Sequence, residues 1–302
     1  MQEKNRGPLV SIIVNCFNGE VFLKDCLSSI INQNYQNWEL IFWDNKSQDE
    51  SAKIFKSYED KRFKYFYSTK HTTLYEARNL AIENSKGEFI SFLDTDDMWA
   101  QNKLDIQIPF FDNPRIGLVY SNLYIIKQNI KKKKLYIKNK LPSGEIYNDL
   151  IKNYNVGILT VVMRKFFYQK LKKKFDARFS IIGDFDLFLR LAKLCEFKSI
   201  QKPLAYYRLH TQNLSINSKN KEIEEFEIWL DENKEGLSEV NIQNLKKEIN
   251  CKKFINSKID GNYKKCFNIL FSSRANFLDI KTFAIFLTPT IILKKLLWWH
   301  QK

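Results

Sequence analysis

The chain has 302 residues, 44% hydrophobic and 27% charged, with a formal net charge of +15. That length builds one large or two modest domains with a sizeable core, and 9 Gly and 6 Pro exclude a collagenous or linker-rich chain. Cys16, Cys26, Cys195, Cys251 and Cys266 show no paired spacing, so they read as reduced thiols rather than a disulfide or zinc framework. Met1–Pro8 is polar and carries no signal-peptide apolar stretch, which points to a cytoplasmic protein.

In chain order, Leu9–Cys16 predicts a strand that opens on the turn-prone Asn15-Cys16-Phe17-Asn18-Gly19. Leu23, Cys26, Leu27, Ile30 and Ile31 then fall on one helical face. Trp38–Trp43 predicts a second strand ending at Asp44, and Ser47 or Asp49 would cap the helix through Ile54 and Phe55. Phe63–Tyr67 is a third strand. Leu74–Asn84 is a helix with Leu74, Ala77, Ala81 and Ile82 inward, and Phe89–Leu93 is a fourth strand. Such an order predicts an α/β fold with a mostly parallel, helix-covered sheet, whose ligands bind beyond the carboxyl ends of the strands. Asn15, Asp44 and Asp94 all lie at such ends.

Beyond Trp99, Asn102–Phe111 predicts a helix and Ile116–Ile126 a strand. Residues 127–160 read as hairpin and loop, Phe185–Leu194 as a strongly periodic helix, and Leu204–Tyr207 as a short strand. Residues 219–250 read as polar amphipathic helices. Phe283–Leu293 is apolar, but a bilayer-spanning helix needs about 20 apolar residues, so this stretch is too short. With Lys294, Lys295, Trp298 and Trp299 it fits either a helix in the membrane interface or a last helix packed on the domain.

The strand Phe89–Leu93 ends abruptly at Asp94, Asp96 and Asp97. Carboxylates packed this closely repel one another unless a cation sits among them. Hard oxygen ligands suit Mg²⁺ or Mn²⁺, which in turn suit a diphosphate. The net charge of +15 also draws anions, whether nucleotide phosphates, nucleic acid or an anionic membrane. No nucleic-acid-binding module is recognisable, and the aromatics sit within apolar runs rather than on basic platforms, so nucleic acid is not expected as a partner.

Five segments follow one another: Asn15–Gly19, Asp44–Asp49, Glu76-Ala77-Arg78-Asn79, Asp94–Asp97, and Gly183-Asp184-Phe185-Asp186-Leu187-Phe188-Leu189-Arg190 with Tyr206–His210 after it. In this order and spacing they resemble glycosyltransferase family 2, the inverting enzymes of GT-A fold, over roughly Leu9 to Ser215. The resemblance implies a GT-A domain over residues 1–215, with nucleotide-sugar binding at about 8–125 and the acceptor side and catalytic base at 126–215. A helical C-terminal region over 216–302 would follow. It implies that Asn15, Phe17, Asn18, Asp44, Arg78, Asp94 and Thr95 bind the nucleotide sugar, with Asp44 accepting from a uracil imide and Arg78 meeting diphosphate oxygens. It implies Asp96, Asp94 and His210 as ligands of Mn²⁺ or Mg²⁺, His210 being also open to a purely structural role, while Asp97 would cap or orient the following helix.

The reaction so implied is transfer of a sugar from a nucleoside-diphosphate donor, UDP favoured, to a hydroxyl of a glycan or lipid-linked acceptor for cell-surface polysaccharide; the C-terminal tail and the net charge add an expectation of peripheral docking on the inner face of the membrane. Asp184 would be the general base, kept ionised by its place at a helix start. Asp186 competes for that role, but it lies about 200° around the helix, so only one of the two faces a cleft. Two departures from the family pattern stand out: Gly183 where many relatives are acidic, and Thr72-Thr73-Leu74-Tyr75 where many are glycine-rich. A sugar nucleotidyltransferase would need a glycine-rich phosphate loop near the N-terminus, where Gly19 is isolated. A catalytically silent nucleotide- or membrane-binding module is the alternative.

Overall fold

A computed structural model describes residues 7–127, 132–272 and 288–290, and the apolar stretch with Trp298 and Trp299 lies almost wholly outside them. Two units are formed, one by residues 1–150 with 154–208 and one by 151–153 with 209–302.

In the first unit four strands run parallel: β1 (Val10–Cys16), β2 (Trp38–Asp44), β3 (Phe63–Tyr67) and β4 (Phe89–Phe92). Both faces of β1, β2 and β4 are buried, which is why they read as near-continuous apolar runs rather than alternations. Helices α1 (Glu20–Ile31), α2 (Ser51–Lys56) and α3 (Leu74–Glu83) connect them. The register pairs Cys16 with Asp44 and Asp44 with Tyr67, and Leu93 N–H donates to the Ile13 carbonyl. The carboxyl ends of β1, β2 and β4 therefore finish side by side, and the residues just past them share one edge.

Past β4 the sheet changes character. A short β5 (Met98–Trp99), a long β6 (Ile116–Lys127) with its hairpin partner β7 (Lys133–Leu135), β8 (Val162–Arg164) and β9 (Glu196–Leu209) complete it. Among the described residues the order is β3-β2-β1-β4-β8-β6-β9-β5, with β7 on β6. β8 runs antiparallel to both β4 and β6. The sheet is thus parallel where the strand ends gather and antiparallel beyond.

Several elements differ from expectation. The helix expected over Asn102–Phe111 is α4 (Lys103–Gln107) followed by a 3₁₀ segment, Ile108–Asp112, because Pro109 has no N–H for an α-helical bond. The stretch read as hairpin and loop also holds α5 (Tyr147–Lys152), and α6 (Lys165–Lys170) follows β8. The strand expected at Leu204–Tyr207 is the end of β9, whose first half is broken up in sequence by Lys198, Lys202 and Pro203. The periodic helix is α7 (Gly183–Ala192). Asp49 serves two helix starts, its Oδ1 accepting from Ser51 N–H of α2 and its Oδ2 from Glu20 N–H of α1, while Ser47 caps neither.

In the second unit α8 (Leu214–Asn217), α9 (Lys219–Asn233), α10 (Glu239–Ile259) and α11 (Tyr263–Ser272) follow. Ser238 caps α10 by accepting from Asn241 N–H, and Trp229, Leu245, Ile249 and Phe254 are buried. Lys252–Glu222 and Lys253–Glu227 ion pairs tie α10 to α9. Among the described residues no helix is long and apolar enough to cross a membrane.

The base of the sheet is locked by a polar cluster. Ser11 Oγ donates to the buried Glu39 carboxylate at 2.6 Å, and Gly87 N–H donates to Ser11 Oγ at 2.7 Å. A Cβ on residue 87 would lie 2.6 Å from Ser11 N, a backbone atom that cannot yield. Gly87→Ala is expected to cost about 1–3 kcal/mol in urea unfolding by this overpacking.

Candidate active site

The loops after β1 and β2 are stitched together by their own polar atoms. Asn18 N–H donates to Ser47 Oγ at 3.1 Å, Gln48 N–H to Asn18 Oδ1 at 2.8 Å, and Gly19 N–H to Ser51 Oγ at 3.0 Å. Among the described residues, Asn18 and Lys46, with φ of 53° and 70°, are the non-glycine residues in the left-handed region, and both sit at this edge. Such backbone is held only where surrounding bonds enforce it, and it concentrates at functional edges. Asp44 has no exposed surface: its Oδ1 accepts from Ser47 N–H and its Oδ2 from the Tyr65 hydroxyl, both at 2.7 Å. Phe17, by contrast, is half exposed and rests on the His71 ring at 4.1 Å between centroids. Asn15 keeps a buried Nδ2 with no hydrogen-bond partner.

The turn after β4 carries the carboxylates. Arg78 comes from α3, is 2% exposed, and its Nη2 donates to Asp94 Oδ1 at 2.8 Å. Burial opposes the Arg78 charge, but Asp94, Tyr75 and Asp184 outweigh it and hold the guanidinium cationic. Thr95 packs against Gly19 ahead of α1. Asp97 does not cap the next helix; its Oδ1 accepts from Arg208 N–H of β9 at 2.8 Å. Arg208 in turn donates from Nε to the Asp96 carbonyl at 3.0 Å and from Nη2 to Asp25 at 2.7 Å, lying over the Phe22 ring. The second oxygen of Asp97 is buried without a hydrogen-bond partner. Burial above all, then the charges of Asp96 and Asp94, push its carboxyl well above the usual range.

Among the described residues no group of three or more His, Cys, Asp or Glu side chains is arranged to hold a metal ion. The donor set does fit a hard cation. Asp94 and Asp96 offer carboxylate oxygens from a single turn, and Mg²⁺-like ions take one or two protein carboxylates and complete their shell with phosphates and water. His210 belongs to the second unit. Gln212 N–H donates to its Nδ1 at 3.3 Å, which puts the proton of the neutral ring on Nε2.

Asp184 is the second residue of α7 and is half-buried. Its Oδ1 accepts from the Tyr75 hydroxyl at 3.2 Å and from Phe185 N–H at 2.9 Å, and its Oδ2 accepts from the Tyr154 hydroxyl at 3.1 Å. Burial pushes its carboxyl up; Arg78, Phe185 N–H, Tyr154 and Tyr75 pull it down without cancelling that effect. The pull of the helix start, felt through Phe185 N–H, is thus smaller than the push of burial. Asp186 takes a different path: it is buried against Arg190, at 2.6 Å, one turn along α7. The two carboxylates thus differ in their partners: Asp186 pairs with Arg190, and Asp184 is joined through Tyr75 to α3, which also carries Arg78. Tyr75, Tyr154 and Arg208 were not assigned roles from the sequence. A Tyr in a loop or on a helix carries no motif of its own, whereas Arg208 lay inside a recognised segment.

A family model described as Glycosyl transferase family 2 matches residues 11–175. The chain belongs to this family. The transferase is 34% identical over 211 residues to UDP-Glc:alpha-D-GlcNAc-diphosphoundecaprenol beta-1,3-glucosyltransferase WfgD of Escherichia coli, covering 69% of this chain and 80% of that one. It is 30% identical over 161 residues to the putative teichuronic acid biosynthesis glycosyltransferase TuaG of Bacillus subtilis, covering 53% and 63%. Its fold matches S. aureus TarS 1-349 in complex with UDP-GlcNAc at a TM-score of 0.63 and 18% identity, over 86% of this chain and 79% of that one. It also matches the mannosyltransferase PcManGT from Pyrobaculum calidifontis in complex with GDP-Man and Mn2+, at a TM-score of 0.62 and 12% identity, over 95% and 80%. The fold is GT-A.

The raised carboxyl of Asp184 means that folding disfavours its charge. Its contribution to stability is present below its ordinary value of 3.8 and is lost as pH rises through the raised one. Thermal unfolding of Asp184→Asn should therefore show a higher midpoint than the parent at pH 8, with the gap closing below pH 3.8. Asp186→Asn should lose about 1–3 kcal/mol at pH 8, since it breaks a charge-assisted bond to Arg190.

Proposed function

We propose that the transferase moves a sugar, with inversion, from a nucleoside-diphosphate donor to a hydroxyl of a lipid-linked glycan, using Asp184 as the general base. One observation carries this reading. Helix α3 joins Arg78 to Asp94 and Tyr75 to Asp184, so the group proposed to meet the diphosphate and a half-buried carboxylate are held by residues one helical turn apart. A carboxylate whose proton affinity is raised by burial is a better base than a solvated one, provided that it is ionised at working pH.

The donor side is assigned to the edge formed by β1, β2 and β4. Phe17, resting on His71, offers a stacking face for the base of the nucleotide. Asn15 and Asn18 line the same edge. Asp44 holds the loop after β2 through Ser47 and Tyr65, and a uracil imide would reach it only once one of these contacts opens. The Arg78 fork, which donates to Asp94, and the Thr95 hydroxyl would meet the diphosphate. Asp96 and Asp94 would hold Mn²⁺ or Mg²⁺, which when bound neutralises charge on the leaving diphosphate. His210, with its Nδ1 already accepting a hydrogen bond, is left out of that set. UDP is favoured as the nucleotide because WfgD is named for a UDP-Glc donor and TarS binds UDP-GlcNAc.

The acceptor hydroxyl approaches the sugar from the side opposite the diphosphate, and Asp184 takes its proton as the new bond forms. A lipid-linked acceptor is supported by the GlcNAc-diphosphoundecaprenol in WfgD's name, and the net charge of +15 favours an anionic membrane surface.

Calorimetry and a nucleoside-diphosphate release assay test the division of roles. Asp96→Ala should lose Mn²⁺-dependent UDP binding. Asp184→Asn should keep UDP affinity and lose at least about 100-fold in turnover. Loss of UDP affinity in Asp184→Asn would contradict its role as base.

A further inference from the structure

We propose that Tyr75 is a positioning residue for Asp184, and that Gly183 lacks a side chain because the Tyr75 ring occupies its place. The proposal rests on the reading of Asp184 as the base. A Cβ built on Gly183 would lie 2.5 Å from the Tyr75 ring. The ring has no room to retreat. It is 3% exposed, stacks on Phe175 at 5.2 Å, and has the Arg78 guanidinium 5.2 Å from its centre.

Helix α3 is pinned along its length to the segment that leads into α7. Thr73 Oγ1 donates to the Ala177 carbonyl, the Tyr75 hydroxyl to the Ile181 carbonyl, and Asn79 Nδ2 to the Phe175 carbonyl, each at 2.9 Å. Tyr75 therefore reaches Asp184 from a fixed platform. Of the charged or titratable groups facing Asp184, Arg78 and Tyr75 come from α3, and Tyr154 comes from the stretch before β8.

The hydroxyl of Tyr75 has one proton and two acceptors in reach, Ile181 O at 2.9 Å and Asp184 Oδ1 at 3.2 Å. With Asp184 ionised, that proton serves its carboxylate. In the transfer step the acceptor O–H bond breaks and its proton forms a bond to Asp184. The acceptor oxygen bonds the anomeric carbon, and the sugar–diphosphate bond breaks with its electron pair on the diphosphate. Asp184 then carries an O–H that needs an acceptor. Tyr75 provides one by turning its own proton fully to Ile181 and presenting its oxygen. The same residue thus holds the base in both protonation states.

The test uses the full chain, with UDP-glucose and UDP-N-acetylglucosamine as donors and a synthetic GlcNAc-diphospholipid as acceptor. Tyr75→Phe keeps the ring and removes the hydroxyl. It should lower kcat about tenfold with donor KM unchanged. It should also move the acidic limb of the pH–kcat profile to higher pH, since a hydrogen bond that favours the ionised carboxylate is gone. Gly183→Ala should lower kcat about tenfold beside Tyr75 and less than about twofold in a Tyr75→Ala background, because the clash is then relieved. An equal cost in both backgrounds, or a Tyr75→Phe enzyme with unmoved kcat and pH limb, would overturn the proposal. A carboxyl ¹³C titration, assigned with Asp184→Asn, reads the same coupling without turnover. Asp184 should titrate higher in Tyr75→Phe, and an unmoved titration overturns the proposal. A wild-type chain that releases no nucleoside diphosphate from either donor sinks the transferase reading instead, and the titration still decides on Tyr75.

Discussion

The constraint on which the site depends is the crowding of negative charge at the end of β4. Asp94, Asp96 and Asp97 lie within one turn, and two nearly buried arginines, Arg78 and Arg208, hold it. Arg78 pairs with Asp94 directly. Arg208 works through the backbone, taking the Asp96 carbonyl and presenting its own N–H to Asp97. Asp97 is the most confined of the three: burial above all, then the charges of Asp96 and Asp94, push its carboxyl well up, and its second oxygen is buried with no hydrogen-bond partner. An edge built in this way keeps its carboxylates close at a cost in stability, and a cation with a diphosphate would relieve that cost.

A second carboxylate meets the same face of α3, one turn away. Asp184 is held half-buried by two tyrosine hydroxyls and its neighbour's N–H, and burial still wins. Asp186, two residues on, is bound to Arg190 and contributes to the fold instead. The contacts to Asp94 and to Asp184 are both carried by one short helix, with Tyr75 and Arg78 three residues apart along it. A change in the packing of α3 would therefore reach both sides at once.

The parallel half of the sheet was legible because strands buried on both faces read as unbroken apolar runs that stop at polar turns. The cluster Asp94–Asp97 was legible for the same reason. β8 and α6 were not, since a strand as short as Val162–Arg164 shows no period, and β9 hid behind Lys198, Lys202 and Pro203. Asp186 is paired with Arg190, a partner that periodicity does not reveal. The two departures from the family pattern, at Gly183 and at Thr72–Tyr75, meet in space, since the Tyr75 ring fills the place over Gly183. A sequence records each as a separate oddity; only the fold joins them.

The central claim is that the turn after β4 binds a diphosphate together with a divalent cation. Electron paramagnetic resonance of Mn²⁺ with UDP and the full chain tests it most directly. The account predicts an immobilised Mn²⁺ spectrum with phosphorus coupling that requires both Asp94 and Asp96. UDP binding that persists in chelator, with Mn²⁺ showing only the spectrum of the free nucleotide complex, would contradict it.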